Sequence, residues 1–492
     1  MLANVRRVFS HLAVYGSGEI LLFGIGFLLF PVYTRVLTLE EYGVLGLLLA
    51  LRAFLRPLNQ LGLDESFLRF YYDCGDDAAR RTLTGTTLVA IGLASGLVLT
   101  VLLAGADTFS RLLLGSAEHA WTLRLLALNG FLQAFLCVPH GLLRIRNEPA
   151  RFARWTVGGG LGATAGRLLL VVGFRMSVFG IMLADLLVSV VLVAGLSRVV
   201  EWPLGRFSWR RAREMLRYGL PRVPNVLLQQ VTMMSDRFFV RIYRSPAEIG
   251  IYQSGATVAN VLRIYPEAFR RAWMPFAFEK LDQPDAPRQF AQLATVAFAV
   301  LVYGTLGIAV LAGPVVQFLA PPPFHGAATI VPFLVLGVAF HGAAVFLTTS
   351  LNVAKRTRAL PVAAAVAAAV TVVGHVTLIP RFGLLGAAGA TAAGQAARVI
   401  VMTVAAQRLY HIPYETGPLL RTALVGLVFY GAAGFAPADV SAEALLVRGG
   451  LLALFPPALL LAGVVDRDAL RRLRARAAGQ SAPPPSEPGE LE

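Results

Sequence analysis

Apolar stretches of about 20 residues recur along the chain, and this feature restricts the possible folds most strongly. A helix of about 20 apolar residues crosses the roughly 30 Å hydrocarbon core of a bilayer, where every backbone N–H and C=O group needs an internal partner. Only 15% of the 492 residues are charged, whereas soluble domains carry about 25%. The sequence therefore predicts an all-α membrane protein that crosses the bilayer many times.

We predict about 14 transmembrane helices, at residues 12–34, 42–62, 83–104, 121–143, 155–174, 178–197, 218–240, 248–270, 292–312, 327–350, 359–379, 384–406, 419–435 and 445–464. If the N-terminus is cytoplasmic, the loops on that side carry most of the 44 Lys and Arg residues, as the positive-inside rule requires. Both termini are therefore expected in the cytoplasm. This topology accounts for the net charge of +16, so nucleic acid is not an expected partner.

Two short phrases at the starts of spans two and eight share one pattern. TLEEYGVL (38–45) and SPAEIGIY (245–252) each place Ser or Thr three residues before Glu and five before Gly. Since a hydroxyl followed three residues later by Glu forms a capping box, each phrase predicts a helix start. The landmark glycines Gly43 and Gly250 are 207 residues apart, and a second pair, Gly180 and Gly386, is 206 apart.

This nearly constant offset predicts two homologous lobes of six helices in the same orientation, the parallel-repeat plan of some transporters. The predicted units are an N-lobe with spans one to six, a basic cytoplasmic linker, a C-lobe with spans seven to twelve, two extra spans, and a cytoplasmic basic helix with a disordered tail. Their boundaries are 1–200, 201–217, 218–407, 408–465 and 466–492.

Three sequence features together resemble a known family. They are YGSGEILLFGIGFLLFPVYTRVLTLEEYGVLGLLLAL near the N-terminus, the repeated landmarks at mid-chain, and RFGLLGAAGAT at the start of span twelve. Their order and spacing resemble the Wzx-type polysaccharide (O-antigen) flippases of the multidrug/oligosaccharidyl-lipid/polysaccharide (MOP) exporter superfamily, which also contains the MATE antiporters and the MurJ lipid II flippases. The resemblance covers about residues 10–465 and implies two lobes arranged in a V.

The resemblance implies a flippase of the bacterial cytoplasmic (inner) membrane rather than an enzyme. Its cargo would be an undecaprenyl-pyrophosphate-linked oligosaccharide for surface polysaccharide biosynthesis, moved by alternating access. Its partners would be the lipid bilayer and the polymerase or glycosyltransferases of the same route. Two alternatives stay open: a cation-coupled MATE-like exporter of small molecules, and a membrane enzyme of polysaccharide assembly.

Arginines inside the predicted spans are the candidate binding residues for a pyrophosphate. The repeat offset relates Arg56 to Arg263, and Arg52 lies one turn from Arg56 on the same helix face. Guanidinium groups bind phosphate oxygens in a bidentate manner and stay charged. The alternative is that Arg52 and Arg56 extend to the lipid headgroups and that Arg263 pairs with Glu267.

Two prolines surround a fourth candidate arginine, Arg222. Pro221 and Pro224 are expected to kink or break span seven, and a broken span in a transporter is often a gate or a binding element.

Uncharged polar side chains on the same spans are candidates for binding sugar. They are Asn59, Gln229, Gln253 and Asn260. The alternative is that these residues form hydrogen bonds between helices, as such side chains commonly do in membranes.

Two carboxylates, Glu19 and Asp236, lie in the repeat-related spans one and seven. By resemblance to MATE-like relatives they are candidates for coupling to Na⁺ or H⁺. The alternative for Asp236 is a structural ion pair with its neighbour Arg237. The sequence contains no cluster of metal-ligand residues, and we expect no cofactor.

Overall fold

The computed structural model describes residues 24–200, 204–280, 283–353, 359–409, 412–437 and 440–464. Within these ranges the chain consists of α-helices joined by short helical turns and loops, without β-strands. The described part of the first half has eight helices of at least 7 residues, namely α1 Phe30–Val36, α2 Leu39–Gln60, α3 Leu63–Tyr71, α4 Asp77–Ala104, α5 Ala120–Phe135, α6 Cys137–Ile145, α7 Pro149–Leu168 and α8 Ser177–Leu196. Eleven follow, namely α9 Trp209–Gly219, α10 Val223–Met234, α11 Asp236–Tyr243, α12 Pro246–Ala259, α13 Ile264–Lys280, α14 Ala286–Val310, α15 Ala312–Leu319, α16 Ala327–Val353, α17 Ala359–Leu409, α18 Thr416–Ala433 and α19 Ala442–Leu461.

The predicted all-helical membrane architecture is confirmed. Nine helices in the described ranges are long and apolar enough to cross a membrane, and α2 with α3, bent by 42°, makes a tenth. The helix α17 contains two helical segments that meet at Gly383, whose φ of 59° is not helical. The exact count of 14 spans stays a prediction. Glu19 and the predicted tail, 466–492, lie outside the described residues.

The two predicted helix starts are confirmed. The Thr38 hydroxyl accepts from the Glu41 backbone N–H at 3.2 Å, and the Glu41 carboxylate accepts from the Thr38 N–H at 2.8 Å, which completes the capping box. In the second copy, Ser245 accepts from the Glu248 N–H at 3.3 Å. The proline that follows Ser245 occupies the first turn of α12, where its missing N–H has no helical partner to lose.

The two repeat-related helices, α2 and α12, pack against each other where they begin. A Cβ atom on Gly43 would lie 2.6 Å from the Pro246 carbonyl oxygen, and one on Gly250 would collide with the Leu39 carbonyl oxygen. The landmark glycines therefore allow the two backbones to touch. Their repetition in the sequence reflects this contact between the lobes.

The far end of α2 makes a second contact between the lobes. The turn between α2 and α3 places Gly62, with φ 72°, against the backbone of Gly219. The Ser66 hydroxyl donates to the Met215 carbonyl at 2.9 Å. Helix α2 is thus contacted by the second half of the chain at both of its ends.

Spans seven and eight are both broken, the first as predicted and the second against the prediction of a continuous helix. A 3₁₀ turn, Leu220–Arg222, separates α9 from α10 at Pro221, as the two prolines predicted. A second 3₁₀ turn, Asn260–Arg263, separates α12 from α13. This break was not predicted from the sequence. It follows from Pro266, whose ring removes an N–H and clashes with the carbonyl four residues earlier.

Candidate binding cavities

A cavity of about 550 Å³ lies within the N-lobe, between α2, α3, α5 and α6. The polar lining includes basic, acidic and neutral side chains. The basic ones are Arg52, Arg56 and Arg144, the acidic ones are Asp64 and Glu65, and Asn59, Gln133 and His140 are among the others. The bend between α2 and α3 opens this space, because it turns Asp64 and Glu65 towards the same cavity that the two α2 arginines line. Its volume is within the range of about 300–1,000 Å³ typical of ligand sites.

The two α2 arginines have different environments. Arg52 donates to the buried carboxylate of Asp185 at 3.1 Å and to the Gln133 amide oxygen at 2.8 Å. Asp185 also accepts from Arg167 at 2.7 Å. By contrast, Arg56 is exposed in the cavity and has no hydrogen-bond or ion-pair partner among the described residues. Arg144, which lines the same cavity, also has no ion-pair partner among the described residues, so the cavity contains at least two cations that no described carboxylate neutralises.

Arg263, which the repeat offset relates to Arg56, lines a second and much smaller cavity of about 50 Å³ in the C-lobe, together with Asn260 and Asp236. Arg263 lies on the 3₁₀ turn that follows α12. Its suggested pairing with Glu267 is not observed, because that carboxylate pairs with Arg270 at 2.8 Å. The repeat thus places the two arginines at equivalent positions in different cavities, one in each lobe.

Asp236 and Gln253 belong to an internal network of the C-lobe. The Asp236 carboxylate is 2.6 Å from the Arg237 guanidinium and accepts from the Tyr252 hydroxyl at 2.7 Å. Arg237 in turn donates to the Gln253 amide oxygen at 3.0 Å. Asp236 therefore forms the structural ion pair with Arg237 that the sequence offered as the alternative to ion coupling. Gln253 belongs to the same network through its hydrogen bond with Arg237.

The other predicted residues are distributed as follows. Arg222, on the turn before α10, donates from its guanidinium group to the carboxylate of Glu65 on α3 at 2.7 Å. Asn59 is buried, and its amide oxygen has no partner among the described residues. Gln229 is half-buried on α10. Glu19 lies outside the described residues.

The lining residues that were not among the predicted site residues include Asp64, Glu65, His140 and Arg144. Span two was predicted to end at residue 62 and span four at residue 143, so both carboxylates and Arg144 were assigned to loops. The bend at Gly62 and the break before Cys137 bring them into the cavity. Gly62 and the preceding Pro57 inside α2 were the sequence signals for the bend.

The charges of the N-lobe cavity favour an anion. Glu65 is neutralised by Arg222 and Arg52 by Asp185. Arg56, Arg144 and Asp64 remain, which leaves an excess of positive charge. Among the described residues no group of three His, Cys, Asp or Glu side chains could hold a metal ion.

A known protein family matches most of the described chain. The family described as "Polysaccharide biosynthesis protein" matches residues 32–328, which include the whole of both landmark phrases. Among curated proteins, the chain is 26% identical over 242 residues to the succinoglycan biosynthesis transport protein ExoT of Rhizobium meliloti. That match covers 49% of this chain and 47% of ExoT, so it spans about half the length of that relative. The Lsg locus putative protein 1 of Haemophilus influenzae is 23% identical over 297 residues, 56% of this chain and 67% of that protein.

Solved structures share the fold at low sequence identity. A lipid II flippase MurJ in an inward closed conformation superimposes with a TM-score of 0.73 at 13% identity, covering 95% of this chain and 99% of the other. A multidrug-resistance MATE transporter of the MOP superfamily, in an inward-facing conformation, has a TM-score of 0.62 at 15% identity, covering 79% and 93%. The predicted MATE- and MurJ-like fold is therefore confirmed.

Proposed function

Because this chain belongs to the polysaccharide biosynthesis protein family, we propose that it is a flippase that moves a polyprenyl-pyrophosphate-linked oligosaccharide across the bacterial cytoplasmic membrane. The glycan would pass through the polar interior while the polyprenyl chain stays in the bilayer. The product would supply surface polysaccharide biosynthesis. The transport role named for ExoT supports this proposal, as does the transporter fold.

The observation that carries the proposal is the unneutralised Arg56 in the N-lobe cavity. An ionisable side chain that faces a cavity of a membrane protein marks a candidate substrate site, and a pyrophosphate would supply the opposite charge. Arg144 lines the same space and could share the diphosphate oxygens. The unpartnered Asn59 oxygen is a hydrogen-bond acceptor for a hydroxyl, as a sugar would provide.

The two contacts between the lobes suggest how access alternates. One lies where α2 and α12 begin, at the landmark glycines, and the other lies at Gly62, Gly219 and the Glu65–Arg222 pair. Both are closed here. Opening the second contact would expose the cavity that Glu65 lines, and opening the first would release cargo on the other side of the membrane.

A liposome assay tests the proposal. The purified protein is reconstituted with a fluorescent polyprenyl-pyrophosphate oligosaccharide, and the fraction that reaches the outer leaflet is measured with an impermeant quencher. We expect the wild type to equilibrate the lipid and Arg56→Ala to lower the apparent affinity about 10- to 100-fold, since a hydrogen bond to a charged group contributes about 1.5–3 kcal/mol.

Matched variants separate charge from geometry. Arg56→Lys keeps the charge but loses the bidentate fork, so an intermediate affinity is expected. Arg154→Ala removes an exposed arginine of α7, away from the cavity lining, and should behave as wild type. No transport by the wild type, or equal transport by Arg56→Ala, would refute the proposal.

The alternative of a cation-coupled small-molecule exporter has weaker support. Asp236, one of its two candidate coupling carboxylates, is already neutralised by Arg237 and hydrogen-bonded by Tyr252. A cation site would also have to tolerate the excess arginines of the N-lobe cavity.

A further inference from the structure

The linker helix α9, Trp209–Gly219, has one side against the protein and one side free. Ala212, Met215 and Gly219 are its buried residues. Its start is fixed by the Ser208 N–H, which donates to the Thr86 hydroxyl at 3.1 Å. Because the helix is held in this way, the direction of its outer face is defined.

The outer face combines arginines with large apolar side chains. Trp209, Arg213 and Arg217 follow one another at four-residue steps, so they lie along one side of the helix. Trp209 is 70% exposed, and Leu220, three turns further along on the same side, is 48% exposed. Phe207 precedes the helix, packs beside Trp209 with ring centroids 6.3 Å apart, and is itself 42% exposed.

The arginines of this face are available for a ligand. Arg210 has a loose contact with Glu214 at 3.4 Å and is 76% exposed. Arg213 and Arg217 are exposed and have no ion-pair or hydrogen-bond partner among the described residues. One acidic residue, Glu214, stands within the helix against four arginines, which leaves the face strongly positive.

The position of α9 indicates which anionic ligand its arginines meet. Only the three residues Leu220–Arg222 separate α9 from α10, which continues into the predicted seventh span. The helix must therefore lie close to the membrane surface. Aromatic side chains that alternate with arginines are typical of helices that lie in the headgroup region, and neither an acidic peptide nor a nucleic acid would call for the apolar row Phe207, Trp209 and Leu220.

We propose that the outer face of α9 is a binding site for anionic phospholipid headgroups. Arg210, Arg213 and Arg217 contact the phosphates, and Trp209 and Leu220 enter the interface beside them. This site is separate from the cargo cavity and does not depend on the proposed transport function.

The test uses the fluorescence of Trp209, one of five tryptophans. Its emission is obtained as the difference between the wild type and Trp209→Phe. The full chain is reconstituted in phosphatidylcholine bilayers, and phosphatidylglycerol with bromine atoms near the glycerol is titrated in. We expect strong quenching at a low fraction of brominated phosphatidylglycerol, weaker quenching by brominated phosphatidylcholine, and loss of this difference in 1 M salt, which shortens the screening length to about 3 Å.

Variants establish that the arginines are responsible. Each basic residue near an anionic surface strengthens binding about fivefold, so the triple change Arg210→Gln, Arg213→Gln and Arg217→Gln should raise the half-quenching fraction by up to about 100-fold. The triple change of the same residues to Lys should retain the preference, which excludes misfolding as the cause. Changing the exposed arginines Arg154, Arg288 and Arg381 to Gln should have no effect. Equal quenching of the wild type by both lipids, or an unchanged preference in the Gln variant, would overturn the proposal.

Discussion

Arg52 and Arg56 are one helical turn apart, yet only Arg52 is neutralised. The difference arises from Asp185, which lies 133 residues along the chain on α8 and reaches only one of them. The sequence alone relates Arg56 to Arg263, because the repeat offset of 207 residues can be read from the landmark glycines Gly43 and Gly250. It could not assign Asp185 to Arg52, since partners across the fold leave no local pattern. The same reason explains why Arg222, which Glu65 engages from 157 residues away, was predicted as a site residue. For Asp236 the sequence already offered the pair with its neighbour Arg237 as the alternative, and that pair is present.

Replacing Asp185 is predicted to destabilise the protein. Its side chain is 3% exposed and lies between Arg52 and Arg167. Asp185→Asn would leave two guanidinium groups without a counter-charge inside the membrane, and breaking a buried pair in this way costs about 3–5 kcal/mol. We therefore expect a lower melting temperature in detergent, measured by intrinsic fluorescence, with normal membrane insertion.

A control uses an ion pair at the surface. Asp73 pairs with Arg69, and both side chains are about half exposed, at 45% and 56%. Asp73→Asn should change stability by less than about 1 kcal/mol. If Asp185→Asn is as stable as Asp73→Asn, then the buried network does not have the role assigned to it.

At the scale of helices, local sequence rules predicted starts better than interruptions. Both capped starts were predicted because a capping box lies within four residues. The break at Pro221 was also predicted. The break after α12 was missed because Pro266 acts on a carbonyl four residues earlier, and the bend at Gly62 was missed because its left-handed backbone is stabilised by contact with Gly219 from the other half of the chain.

The glycine crossing of α2 and α12 gives a prediction at this scale. Gly250→Ala would place a methyl group into the Leu39 carbonyl oxygen, a backbone atom that cannot rotate away. We expect the two helix starts to separate, with a loss of about 1–3 kcal/mol in stability and impaired flipping in the liposome assay. Gly158→Ala is the control, because nothing lies within 4 Å of its added Cβ atom. Equal stability and flipping of the two variants would mean that the close approach has no functional part.

At the scale of the whole molecule, hydrophobic periodicity and the repeat predicted the architecture, and the shared fold with MurJ and MATE transporters confirms it. The sequence did not reveal that each lobe contains its own polar cavity, because cavities depend on how helices bend. The orientation of the termini and the boundaries of the lobes stay predictions. We propose that cargo crosses when the two lobes move relative to each other.

Linking Glu65 and Arg222 tests this claim most directly, since they lie on opposite sides of a contact between the lobes. Glu65→Cys and Arg222→Cys are introduced into a chain in which Cys74 and Cys137, the two native cysteines, are replaced by Ser. Flipping of the labelled lipid-linked oligosaccharide is then measured with and without a short, cleavable bismaleimide cross-link. We expect normal flipping without the link, no flipping with it, and recovery on cleavage. Unchanged flipping by the cross-linked protein would contradict this claim.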